Sequence, residues 1–333
     1  MKIVTKLALL ASLSALLISA CGSDSPTPST SSTAQAAFSA LAERGASGEA
    51  IANGWFALLA ATSSPTATLA ESPEQARAHI ASVKPYLDPA FQIQRASGQR
   101  YLAADYVPSN IHKFTISDVV STEPNDSMKV VRYGISTPGA TTSESSAVLS
   151  SKVEPRISVF RWDQDRGHWV IVSHANFNTS VVAACDKTPV QESKEQPTTS
   201  AEDVATGEAL VHQWRAITVG ESKADVLDPQ NQIQLADGEG WPNPDGSQIK
   251  WSPAKSYEPH DIVVTRHGEL LVASYSAVET DLSVEGKAYA AASAPRLLTY
   301  RLADKDQWKL IALANFNSPK KASNDADCAT KAP

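Results

Sequence analysis

The chain repeats itself, and the repeat limits what it can fold into. "ANFN" ends two separate apolar runs, at Ala175–Asn178 and at Ala314–Asn317. "LDPAFQIQ" from Leu87 answers "LDPQNQIQ" from Leu227, and "PRISVFR" from Pro155 answers "PRLLTYR" from Pro295. "SDVVST" from Ser117 matches "HDIVVT" from His260, and Tyr133 matches Tyr275. The matches keep their order at an offset of about 140 residues, far beyond the ~20–50-residue period of a solenoid. The sequence therefore predicts a duplicated domain, with residues 34–190 as one copy, a polar linker at 191–200, and a shorter second copy at 201–333.

Each copy opens with helical signals. Ile51, Trp55, Leu58 and Leu59 form one apolar stripe, and Val211, Trp214 and Ile217 form its counterpart. Ser200 precedes the second stripe as an N-cap. "SPEQARAHIASVK" predicts another helix in the first copy, with Pro73 at its first position. "YLAADYV" is read as a short helix stopped by Pro108. The period then changes to two, in β-rich runs parted by turn residues. Helices followed by strands predict an α+β fold. On the last strand, strict alternation puts Trp169, Ile171, Ser173, Ala175 and Phe177 on one face. Val170, Val172, His174, Asn176 and Asn178 fall on the other.

The first 20 residues carry Lys2 and Lys6 ahead of an apolar run too short for a comfortable membrane span, the layout of a secretory signal. The Ser/Thr/Pro-rich stretch 21–33 is a flexible tether by composition. Cys185 and Cys328 each follow an "ANFN" and are expected to pair in an oxidising compartment. A net charge of −7 argues against a nucleic-acid partner. The seven histidines are scattered singly, so no local metal site is expected, and no cofactor fingerprint is present.

Two resemblances extend this reading. Ile18-Ser19-Ala20 before Cys21 resembles the bacterial lipobox, which implies cleavage before Cys21 and a lipid anchor on its sulfur and amino group. Gly22 stands where an inner-membrane retention signal would place Asp. That resemblance implies the periplasmic face of the outer membrane.

The second rests on the helical start, on "LDPAFQIQ", and on the run "FTISDVVSTEPNDSMKVVRYGIS … PRISVFRWDQDRGHWVIVSHANFN". This order is similar to the nuclear transport factor 2-like superfamily, the cystatin-like cone that includes ketosteroid isomerases and polyketide cyclases. It implies two tandem cones, each with helices packed on a curved antiparallel sheet. It also implies an internal pseudo-dimer in a monomeric chain.

An enzyme of that superfamily needs an inward carboxylate and oxyanion donors. Asp88 and Asp228 sit before proline and suit turns. His174 and Asp118 form the candidate acid–base pair of an isomerase, dehydratase or cyclase confined to the first copy, since Leu313 replaces His174 in the second. Candidate ligand-binding residues are Trp55, Tyr133, Asn176 and Asn178, with Trp214, Tyr275, Asn315 and Asn317 in the second copy. Scaffold residues are duplicated and a catalytic set is not. The favoured expectation is therefore a non-catalytic protein that binds a small apolar ligand or a periplasmic partner protein.

Overall fold

A computed structural model describes residues 39–63, 73–96, 98–141, 152–177, 199–223, 225–242, 250–303 and 307–317. Cys21, Cys185, Cys328 and Asn178 lie outside the described residues, as do the signal, the tether and most of the linker.

Helix α1 (Gly48–Thr62) begins where Ser47 Oγ accepts from the Ala50 amide at 3.1 Å, which satisfies one of the helix's open N–H groups. It buries Ile51, Trp55, Leu58 and Leu59, the stripe legible in the sequence. Helix α2 (Pro73–Val83) follows. Helix α3 (Ala201–Thr218) opens the second half, with Ser200 Oγ accepting from the Asp203 amide at 3.1 Å.

The first sheet holds β1 (Leu87–Arg95), β2 (Arg100–Leu102), β3 (Thr115–Asn125), β4 (Met128–Ser136), β5 (Glu154–Asp163) and β6 (His168–Asn176), in the order β2-β1-β6-β5-β4-β3. The second holds β7 (Leu227–Leu235), β8 (Gly240–Pro242), β10 (Ser256–His267), β11 (Leu270–Thr280), β14 (Ser293–Ala303) and β15 (Gln307–Asn315). Its order, β10-β11-β14-β15-β7-β8, is the first read from the other end. A small sheet of β9 (Trp251–Ser252), β12 (Ser283–Val284) and β13 (Lys287–Ala288) belongs to the second half alone.

Three expectations are corrected. The sheets are mixed rather than antiparallel: β1 lies parallel to β6, and β7 parallel to β15. The stretch at Arg100–Leu102 is strand, not helix; it folds back on β1 with Ile93 opposite Tyr101, while Asp105 Oδ1 accepts from the Leu102 amide at 2.8 Å. The last strands do not alternate strictly. A bulge between Ile171 and Ser173 adds a residue and re-aims the side chains beyond it. Trp169 and Ile171 pack toward the helix, whereas Val172, Ala175 and Phe177 all join a second core. The other half repeats this, with Leu310 and Leu313 toward the helix and Ile311, Ala312, Ala314 and Phe316 away from it.

That second core lies between the two sheets. It draws Met128, Val130, Val159 and Phe177 from one and Leu270, Val272, Ile311 and Phe316 from the other. Phe177 stacks on Phe316 with centroids 4.2 Å apart and planes 21° from parallel. An aromatic pair of this kind contributes about 0.5–1.5 kcal/mol beyond its buried area. The repeated tetrad thus ends with its two aromatic rings against each other.

The polar contacts across this seam are reciprocal. Gln92 Nε2 donates to Thr265 Oγ1 at 2.9 Å and to the Val272 carbonyl at 3.0 Å. Its counterpart Gln232 donates to Thr122 Oγ1 at 3.1 Å and to the Val130 carbonyl at 2.7 Å. Thr265 Oγ1 donates to the Ala90 carbonyl, and Thr122 Oγ1 to that of Gln230, both at 2.6 Å. Such exchange, where a residue and its mate swap roles, is the mark of a two-fold interface. The helices use equivalent glycines. A Cβ on Gly48 would strike Ser121, and one on Gly207 would lie 2.5 Å from Val264 Cγ2, so each helix sits close on an edge strand of its sheet, β3 in the first and β10 in the second.

Candidate functional site

The second half contains a cavity of about 80 Å³ between α3 and its sheet. That is several times the ~10–15 Å³ a single water needs. One wall comes from α3, where Trp214, Ile217 and Thr218 share a face at i, i+3 and i+4. Ile233 and Leu235 on β7 and Leu313 and Asn315 on β15 line the opposite wall, each pair two residues apart. Half-exposed Trp241 and Trp251, with Leu282 and Val284 beside the small sheet, complete the apolar lining.

The polar end is tightly organised. Arg296 Nη2 donates to Glu279 Oε1 at 2.6 Å, and each residue is 1 % exposed. Asn317 Nδ2 donates to the same carboxylate oxygen at 2.8 Å and to the Ala290 carbonyl at 2.9 Å. Asn315 Oδ1 accepts from the Asn317 amide at 2.8 Å. Arg296 Nη1 donates to the Pro295 carbonyl at 2.8 Å. Burial works against the charge on Arg296, but the Glu279 carboxylate and two phenols outweigh it and hold the pKa above its ordinary value. Tyr257 also lines the cavity and shares a 2.8 Å hydrogen bond with the Tyr275 hydroxyl. Burial pushes the Tyr257 pKa up to about 12, so the phenol is neutral and can donate.

In the first half the corresponding ground holds a buried run of Tyr133, Ser158 and His174. Tyr133 and Ser158 share a 2.9 Å hydrogen bond, and Ser158 and His174 Nδ1 share one at 2.8 Å. Phe56 closes over both rings, 6.0 Å from Tyr133 and 6.2 Å from His174. Burial, then the guanidinium groups of Arg156 and Arg95, hold the His174 pKa well below its ordinary value. The imidazole is therefore neutral near pH 7.

The structure does not bring Asp118 to His174. Asp118 is exposed on β3, in a bulge with φ 53°, and Asp261 repeats it with φ 55°. Asp tolerates this left-handed conformation better than most residues. Strands β4 and β5 stand between it and His174, and three strand spacings make about 14 Å. Asp88 and Asp228 are buried and pair with Arg161 and Arg301, at 2.7 and 2.6 Å, so they anchor the strand starts.

Of the candidate ligand contacts, Trp214 and Asn315 line the cavity, Asn317 clamps its carboxylate, and Tyr275 lies one hydrogen bond behind Tyr257. Trp55 and Tyr133 are buried in the first half's core, and Asn176 is half-buried at its strand end. Sequence reasoning missed Glu279, Arg296, Tyr257, Trp241 and Trp251. The signal for Glu279 was available at an aligned position where the two copies differ, since Thr137 stands in its place, whereas Arg296 is repeated as Arg156. Among the described residues, no cluster of three potential metal ligands occurs, and no helix is long and apolar enough to cross a membrane.

No family model and no curated protein matches this sequence. Solved structures match over about a third of the chain. A candidate ketosteroid isomerase of Parabacteroides distasonis is 16% identical, covering 39% of this chain and 94% of its own, with a TM-score of 0.27. A nuclear transport factor 2-like protein of Cytophaga hutchinsonii is 16% identical, over 36% of this chain and 100% of its own, at 0.29. Another, from Shewanella baltica, is 11% identical, over 37% and 99%, at 0.27.

Proposed function

We propose that this chain is a non-catalytic binding protein of the bacterial envelope, which holds a small apolar molecule with a neutral hydrogen-bonding end in the cavity of its second half. The observation that carries the reading is the cavity itself. Its walls are aliphatic and indole side chains, and its floor is a charge pair already neutralised within the protein. Apolar clefts with a few fixed polar groups are the usual form of small-molecule sites. A charged ligand would have to displace Glu279 from Arg296 and Asn317, whereas an alcohol or carbonyl can use Tyr257 or Asn315. Glu279 is committed to two donors and is poorly placed to act as a general base.

In this reading residues 34–190 and 201–333 are two nuclear transport factor 2-like cones, their sheets bent by the paired bulges and locked face to face as an internal pseudo-dimer. The reciprocal glutamines support that arrangement. The lipobox-like sequence supports a lipid anchor on Cys21 at the periplasmic face of the outer membrane. Cys185 and Cys328 then tie the two chain ends together.

One experiment tests the binding and the anchor. The protein is extracted from its host's membranes and weighed by native and by denaturing mass spectrometry. The expected result is a small molecule lost on denaturation, absent from a Leu313→Phe variant that fills the cavity, and acyl chains retained on Cys21. A native mass equal to the denatured mass, in both proteins, would sink the binding reading.

A further inference from the structure

Both halves bury an arginine at one point of the frame. Arg156 sits opposite Tyr133, and Arg296 opposite Tyr275. They are 2 % and 1 % exposed. In the second half Glu279, four residues past its tyrosine, answers the charge. The same position in the first half is Thr137, also buried at 2 %. The hydroxyl of Thr137 has no hydrogen-bond partner among the described residues.

Arg156 donates from Nη1 to the Pro155 carbonyl at 2.7 Å, just as Arg296 does to Pro295. Among the described residues it forms no ion pair, while Arg296 has Glu279 at 2.6 Å. The buried guanidinium of Arg95 is near enough to act on Arg156 and adds to the positive charge. Burial is the chief cause that pushes the Arg156 pKa down to about 10; Tyr133 and Glu154 act the other way. A buried cation without a partner is among the more costly arrangements in a protein. Here the duplicated frame shows what would relieve it.

We propose that the first half binds a compact carboxylate between Arg156 and Thr137, where the second half places the side-chain carboxylate of Glu279. The Nη2 edge of the guanidinium donates to the anion in the geometry that makes arginine–carboxylate pairs strong. The Thr137 hydroxyl donates a further hydrogen bond. Thr137 is shorter than glutamate by little more than the carboxyl group, so the ligand is a small monocarboxylate. This site is separate from the apolar cavity and does not depend on what that cavity holds.

The test is thermal unfolding of the full chain in acetate or propionate, against chloride at equal ionic strength. The expected result is a saturable rise in Tm, about 2–4 °C at ten times the Kd. Thr137→Glu should raise Tm in chloride and abolish the response to carboxylate. Arg156→Lys, which keeps the charge but loses the planar fork, should weaken the apparent affinity about tenfold or more. Equal Tm values in carboxylate and chloride would overturn the proposal. So would an undiminished response in Thr137→Glu or in Arg156→Lys.

Discussion

The two halves share a frame but handle their buried polar groups differently. The first half threads Tyr133, Ser158 and His174 into a closed chain beneath Phe56. The second has Leu298 and Leu313 at the positions of Ser158 and His174. It gathers its polarity into Glu279, Arg296 and Asn317 at the floor of a cavity. At the seam, by contrast, Gln92 and Gln232 with Thr122 and Thr265 keep the same identities and the same jobs. Each seam residue must satisfy a partner that is its own counterpart's neighbour, so a change on one side strands a polar group on the other. Interior residues answer only to their own half and are free to diverge.

The largest expected effect comes from making the second half resemble the first. Glu279→Thr leaves Arg296 buried without its carboxylate. Removing one partner of a buried pair costs about 3–5 kcal/mol. Urea denaturation should show that loss, with Asn317 also deprived of its acceptor. A change below about 1 kcal/mol would mean the two halves tolerate a buried arginine equally, and the contrast between them would lose its energetic basis.

The seam offers a sharper comparison, because its symmetry is broken in one place by an exchange. Arg132 Nε donates to Gln232 Oε1 at 3.0 Å, and its guanidinium lies against Gly240. On the other side Ser274 Oγ donates to Gln92 Oε1, and Arg100 lies at the position of Gly240, its Nη1 3.4 Å from Ser274 Oγ. Each side therefore accommodates one guanidinium, delivered from β4 in one case and from β2 in the other. Two first halves facing each other would bring two arginines into each place, and two second halves none. Ser274→Arg should cost about 1–3 kcal/mol by overpacking and like charge. Arg100→Gly should restore most of it, less the ~0.5–1 kcal/mol a glycine costs inside a strand. A double-mutant cycle without a coupling energy of about 1 kcal/mol or more would show that the exchange is incidental.

Much of this frame was legible in the sequence. The offset of "LDPAFQIQ" and "LDPQNQIQ" gave equivalent first strands, and the stripe through Trp55 and Trp214 gave equivalent helices, because burial leaves a period that a sequence records. The bulge at Ile171–Ser173 was not legible. A local count of two cannot reveal one extra residue that only the partner strand defines, so Ser173 was placed with Trp169 when it faces Thr299 at 2.7 Å. The parallel pairing of β1 with β6 was hidden for the same reason, since neighbours in a sheet are not neighbours in the chain. At the site, Asn315, Asn317 and Trp214 stood out because they are duplicated. Glu279 and Tyr257 were overlooked because the chemistry lies where the copies differ, and a search for shared residues discards those positions first.

The smallest effect separates the halves by pH. His174 is neutral in the folded chain, since burial, Arg156 and Arg95 all oppose its proton. In the unfolded chain it takes up a proton below its ordinary value near 6.5. As pH falls below 6.5 the unfolded state binds more protons, so folding stability drops, by up to about 1.4 kcal/mol per pH unit, until the depressed folded pKa is reached. His174→Leu installs the residue that the second half carries at Leu313. It should remove that slope between pH 6.5 and the onset of carboxylate titration, while the Tyr133–Ser158 hydrogen bond remains. The measurement is the difference in urea-unfolding free energy between the variant and its parent across this range. Parallel profiles would mean that His174 reaches solvent or a counter-charge. The first half's polar chain would then be open, like the floor of the cavity in the second.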